Sequence, residues 1–151
     1  MIKLSRKVEY GLISLLHMDS VRYPGLATAK EISEIYDIPA PLLGKVLQTL
    51  VRAGLTESEQ GAKGGYRLKK PVEDMSLGEI VEGLDGPILI AACCDDAKPC
   101  RQQPACNIRT PVQRIQEELM GFLYHLPLSQ FRSAPRFPDV LKEFRLQEIR
   151  P

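Results

Sequence analysis

The chain has 151 residues, 44% of them hydrophobic and 26% charged, with a net charge of +1. That length suits one core, or a small domain plus an arm, and the composition is that of a globular protein and not of a disordered or fibrous one. No run of about 18 apolar residues occurs, so no helical membrane span is expected and a cytoplasmic location is the default. The opening stretch, residues 1–18, carries charges among its apolar residues and has no small-residue cleavage site, so it reads as a helix and not as a signal peptide. The small net charge hides an asymmetry. Residues 1–70 hold 11 Lys+Arg against 7 Asp+Glu, or +4, and residues 71–151 hold 9 against 12, or −3. A basic front half suits a chain with one polyanion-binding end, although the bias is mild.

In chain order, Leu4 to Met18 is expected to be helical, with Val8, Leu12, Leu15 and Leu16 as its apolar stripe. Pro24-Gly25 breaks the chain. Thr28 to Glu31 forms a capping-box pattern that opens a short second helix ending near Asp37-Ile38-Pro39. A third helix starts about Pro41, buries Leu43, Val46, Leu47 and Leu50, and is capped at Gly54. Two short helices joined by a tight turn make a helix-turn-helix. Leu55 to Glu59 and Tyr66 to Leu68 then read as two strands around a glycine-rich turn at residues 61–65. Such a hairpin, carrying Lys63 and Arg67 beside Gly64 and Gly65, fits a DNA-binding wing: glycines allow close backbone approach, and cations meet phosphate. Ser76 to Glu79 caps a fourth helix reaching about Leu84. Residues 88–109 read as a loop. Thr110, with Pro111 in the first helical position, is expected to cap a long helix to about Leu126. On that helix Val112, Ile115, Leu119, Phe122 and Leu126 form a narrow seam, suited to pairing with a second copy or to packing on the chain's own N-terminal part. The fold class is therefore mainly α with a small β wing (α+β), divided into a DNA-binding domain at 1–86, a cysteine loop at 87–109, a dimerisation helix at 110–131 and a tail at 132–151.

All four cysteines, Cys93, Cys94, Cys100 and Cys106, fall within 14 residues. In a cytosolic chain such clustering points to metal or redox chemistry before structural disulfides. Cys94, Cys100 and Cys106 keep a C-x5-C-x5-C rhythm, with Pro99 and Pro104 stiffening the turns. Loops of that size can wrap an iron–sulfur cluster, with either a fourth ligand from elsewhere or one iron site open to a small molecule. A thiol switch remains open, with Cys93 as its redox thiol. Zinc is less suited, since no C-x2-4-C pair is present. No Walker loop, dinucleotide fingerprint, nucleophile elbow or paired carboxylates on one element occur, so an enzyme is not expected.

Three segments together resemble the IscR/NsrR/RirA-type family of bacterial transcription regulators: the opening helix with Glu9-Tyr10, the wing sequence Gly61-Ala62-Lys63-Gly64-Gly65-Tyr66-Arg67-Leu68, and the Cys94/Cys100/Cys106 triad. The resemblance covers residues 1 to about 130. It implies a homodimer on a double-stranded operator, with a cluster whose state controls DNA affinity. IscR-like members place a His three residues after the third cysteine, where this chain has Arg109. NsrR-like members use an acidic residue from the opening helix of the other subunit, and the matching position is Glu9. The resemblance thus implies Cys94, Cys100, Cys106 and Glu9 as ligands of a 4Fe–4S cluster, with 2Fe–2S as the alternative. His17 and His125 lie among apolar neighbours and read as core or surface residues. For DNA, Pro41, Lys45 and Gln48 on the third helix are base or phosphate candidates, with Gly44 presenting no side chain. Lys63, Arg67, Lys3, Arg6 and Lys7 are phosphate candidates. Each of these also fits an ordinary solvated surface.

Overall fold

A computed structural model describes residues 3–21, 26–95, 97 and 100–132. The expected break at Pro24-Gly25, Pro99 and the tail beyond Arg132 lie outside the described residues. The first helix, α1, runs Arg6–Ser20, two residues later than the apolar pattern suggests. Ser5 sets the start: its Oγ accepts the Val8 N–H at 3.2 Å, which makes it the cap and not a helical residue. Helix α2 (Ala29–Tyr36) opens on the expected capping box, with Thr28 and Glu31 each accepting the other's backbone N–H. It stops at Asp37, whose φ of 51° is left-handed, and Ser33 closes the turn by donating to the Ile38 carbonyl at 2.7 Å. Three residues later α3 begins (Ala40–Arg52), with Pro41 in its first turn.

Strands β1 (Thr56–Glu59) and β2 (Gly65–Leu68) pair antiparallel, with Glu57 facing Arg67 and Ser58 facing Tyr66. Ala27 extends this hairpin. It exchanges both backbone hydrogen bonds with Tyr66, at 3.0 and 2.8 Å, and so ties the stretch before α2 to the wing. Helix α4 (Leu77–Asp85) starts at its Ser76 cap, as expected.

Val8, Leu12 and Leu15 of α1, Ile32 of α2, Leu43, Leu47 and Leu50 of α3, and Ile80 and Leu84 of α4 make the buried core. Gly11 lets α1 and α4 meet: a Cβ there would lie 2.4 Å from Leu84 Cδ1.

Helix α5 (Arg109–His125) differs from expectation at its start and ends where expected, with Leu126 as its C-cap. Its cap is Ile108, without a side-chain hydrogen bond, so Thr110 and Pro111 sit inside the first turn. It ends at His125, and residues 128–131 form a separate 3-10 turn. The chain between them lies beside the start of α4: the Leu77 N–H donates to the Leu126 carbonyl and the Leu128 N–H to that of Met75, both at 2.8 Å. Leu126 and Leu128 are buried in the core. The C-terminal part of the expected dimerisation unit therefore packs as one body with residues 1–86. The reason is the hydrophobic gain from burying two leucines, about 1.5–3 kcal/mol each.

Candidate nucleic-acid interface and cysteine loop

The turn of three residues between α2 and α3 holds α3 across the surface, with Leu43, Val46, Leu47 and Leu50 inward and Pro41, Lys45, Gln48 and Arg52 exposed. Thirteen helical residues span about 20 Å, ample to lie in a major groove about 12 Å wide. The start of α2, Gln48 and Arg52 of α3, and the wing from Ser58 to Tyr66 bound an open groove of about 560 Å³. Lys63 is exposed at the wing tip.

Gly64 and Gly65 answer first to the chain's own packing. A Cβ on Gly64 would sit 2.2 Å from the Glu59 carbonyl oxygen, and one on Gly65 would sit 2.8 Å from that of Ala27. The hairpin and its Ala27 edge could not close around larger residues.

The cations near the start and on the wing divide. Lys3 is exposed. Arg6 pairs with Glu9 at 2.9 Å. Arg67 is held across the wing by Glu57 at 2.5 Å and Glu59 at 3.6 Å, so the expected phosphate ligand already has carboxylate partners. Lys7 turns into the chain, where its ammonium donates to the Leu84 carbonyl and lies 4.0 Å from Asp85. A cation at the carbonyl end of α4 is favoured by the helix dipole.

Cys93 and Cys94 occupy a 3-10 turn, Ala92–Cys94, that packs on α5. All four cysteines are half-buried and free of disulfides. Partial burial, and then the Cys93 thiol beside it, push the Cys94 thiol above its ordinary range. Cys100 donates to the Gln102 side chain at 3.3 Å, and Cys106 ends a second 3-10 turn, Gln103–Ala105. Among the described residues, no three His, Cys, Asp or Glu side chains stand together in metal-binding geometry. The donor chemistry nevertheless suits iron: soft free thiols, partly shielded, on one loop. Glu9, on α1, keeps 41% of its side chain exposed beside Arg6. His17 is buried between Tyr36, 3.2 Å from its Nδ1, and Glu31, 3.4 Å from its Nε2. His125 bonds the Gly121 carbonyl at 2.7 Å.

Sequence reasoning missed Gln116. Its side chain accepts the Ile90 N–H at 2.9 Å and donates to the Ile88 carbonyl at 2.5 Å, pinning the stretch before the cysteines to α5. The signal was present. Position 116 falls four residues after Val112 and three before Leu119, a polar side chain on an apolar seam.

A helix-turn-helix followed by a hairpin wing defines the class of winged-helix DNA-binding proteins. Residues 4–133 match the Rrf2 family, iron-dependent transcriptional regulators, and the chain belongs to that family. It is thus a DNA-binding transcription regulator. Among solved structures, it is 26% identical to CymR (YrzC), the global cysteine regulator of B. subtilis, over 87% of this chain and 97% of that one, with a TM-score of 0.63. The oxidized form of Staphylococcus aureus CymR is also 26% identical, over 88% and 98%, at 0.64. IscR of T. potens shares the fold, at 21% identity over 97% and 93% and a TM-score of 0.65. No helix among the described residues is long and apolar enough to cross a membrane.

Proposed function

We propose that this regulator is a repressor acting as a homodimer, whose operator affinity is controlled by an iron–sulfur cluster on residues 87–109, sensing nitric oxide, redox or iron status. The observation that carries this reading is the loop itself: four free, half-buried cysteines, two of them on a turn packed against α5, in a member of an iron-dependent regulator family. Cys94, Cys100 and Cys106 would hold the cluster, 4Fe–4S before 2Fe–2S, with Glu9 of a second copy as fourth ligand. When bound, the cluster supplies a centre that changes with oxidant, nitric oxide or iron supply.

The rest belongs to the chain's residues. The thiols must close together and lose their protons, and Glu9 must exchange its Arg6 partner for iron. A carboxylate is a harder ligand than a thiolate and makes that corner labile. Losing it would free α1 of one subunit from the loop of the other and change the separation of the two α3 helices, a two-state element biased by a ligand. Lys45, Gln48 and Pro41 would read or line the major groove, with Gly64, Gly65 and Lys63 on the wing and Lys3, Arg6 and Arg67 at phosphates. Arg67 would do so only by leaving Glu57.

Anaerobic purification with iron and sulfide counting, visible absorption and electron paramagnetic resonance tests the reading. Expected is a coloured protein that loses its spectrum in Cys94→Ser, Cys100→Ser and Cys106→Ser, and a weakened, shifted one in Glu9→Ala with folding intact. Colourless, iron-free protein that still responds to its signal on DNA would overturn it. That result would favour a cluster-free regulator controlled through the adjacent Cys93 and Cys94 thiols or by a protein partner.

A further inference from the structure

The stretch from Leu84 to Ile90 joins α4 to the cysteine turn, and helices from both ends of the chain hold it. From α1, Lys7 donates to the Leu84 carbonyl and faces Asp85 at 4.0 Å. From α5, Gln116 grips Ile88 and Ile90 through one acceptor and one donor. The Ile88 carbonyl and the Ile90 N–H lie on the same edge of the stretch, so the amide takes the place of a neighbouring peptide. Between the two grips sits Gly86 with φ +85°, a conformation that side chains resist, so the stretch can pivot there once a grip is released. Beneath the first grip, Gly11 brings α1 into contact with Leu84.

We propose that Lys7 and Gln116 are positioning residues that clamp the root of the cysteine loop between α1 and α5. Through Gln116 the clamp fixes where Cys93 and Cys94 sit on α5. Through Lys7 it passes displacement of the loop to α1, the helix that packs on α3 of the helix-turn-helix. Lys7 is thereby a coupling residue and not a phosphate ligand. The inference deepens the reading of this loop as the sensor and rests on it for its consequence, though the clamp is testable without it.

The experiment is timed alkylation of the full chain with iodoacetamide, read cysteine by cysteine by mass spectrometry. Gln116→Ala removes two hydrogen bonds, each with a net worth of about 1 kcal/mol. Cys93 and Cys94 should therefore react about thirtyfold faster, while Cys106, twelve residues further along the chain, keeps its rate. Gln116→Glu keeps the acceptor for Ile90 but loses the donor for Ile88, and should fall between. Lys7→Met should also speed Cys93 and Cys94, and Lys7→Arg should restore the original rate. Equal acceleration at Cys106 would mean general loosening and would overturn the clamp, as would unchanged rates at Cys93 and Cys94. A second arm measures binding to a duplex selected from random sequence by the unmodified protein, before and after alkylation. Lys7→Met should abolish whatever change alkylation produces in the unmodified sequence. Retention of that change in Lys7→Met refutes the coupling. If alkylation never alters DNA binding while the labelling rates shift as stated, the clamp stands and the sensor reading falls.

Discussion

Single residues in this chain are constrained by distances that a sequence does not carry. Gly64 suits a wing for its freedom to approach DNA, yet the nearer constraint is the Glu59 carbonyl, 2.2 Å from where a Cβ would stand. Gly64→Ala should destabilise the protein by about 1–3 kcal/mol, the usual range for overpacking, visible as a lower melting temperature without DNA present. A variant as stable as the parent would show that the hairpin relaxes freely. Tyr124 offers a second test. Its hydroxyl donates to Glu82 at 2.5 Å across α4 and α5, and that hydrogen bond raises its pKa to about 12. A proton held more tightly in the fold than in the unfolded chain stabilises fully below the ordinary tyrosine pKa of about 10. The contribution fades as pH rises from there through about 12. Because the residue is 44% exposed, solvent discounts the effect to about 1 kcal/mol or less. Tyr124→Phe should lower stability by that amount at neutral pH, and the two proteins should converge towards pH 12. A constant gap across that window would assign the loss to something other than the hydroxyl proton.

At the scale of elements, helices and wing were legible because their signals are local. Thr28 and Ser76 announce their helices by cap chemistry, and the apolar stripe of α3 is found in the core, as are Val8, Leu12 and Leu15 of α1, with Leu16 only partly buried. Errors arose where a distant partner decides. Ala27 pairs with Tyr66, nearly forty positions on, and nothing near Ala27 indicates a strand. The α5 seam was read as one surface, but its two ends have different neighbours. Phe122 and Leu126 pack on the chain's own core, whereas Ile115 is 57% exposed. The half of α5 nearest the cysteines leaves Ile115 exposed, and in the proposed homodimer it would face the second copy. On that basis Ile115→Glu should leave helix content and monomer stability unchanged, because the side chain is not part of the subunit core. In the proposed homodimer two such isoleucines would meet across the two-fold axis, each worth about 1.5–3 kcal/mol when buried. Dimer dissociation should therefore rise by about a hundredfold or more, read by sedimentation equilibrium. A dimer of unaltered strength would place the subunit interface elsewhere.

For the molecule as a whole, charge decides how the front half meets a polyanion, and the internal ion pairs decide which cations count. The first 70 residues carry a surplus of four positive charges. Part of that cationic surface is already engaged: Lys7 with the end of α4, Arg6 with Glu9, and Arg67 with Glu57 and Glu59. Exposed Lys45 on α3, Lys63 at the wing tip and Lys3 before α1 are therefore the candidates left for the proposed phosphate contact. Each contact made to a phosphate releases counterions, which gives the logarithm of affinity a slope of about −0.9 per contact against the logarithm of salt concentration. Lys45→Gln and Lys63→Gln should each flatten that slope by about one and weaken binding similarly on specific and unrelated duplexes, if they touch backbone alone. Should Lys45 instead reach a base edge, its variant would lose about 1–3 kcal/mol on the operator and little on unrelated DNA. Lys7→Met should leave the slope as it was, since its ammonium serves α4. Fluorescence anisotropy over a salt series measures all three. A slope that falls with Lys7→Met and not with Lys63→Gln would reverse the assignment, placing the N-terminal helix and not the wing against the phosphates.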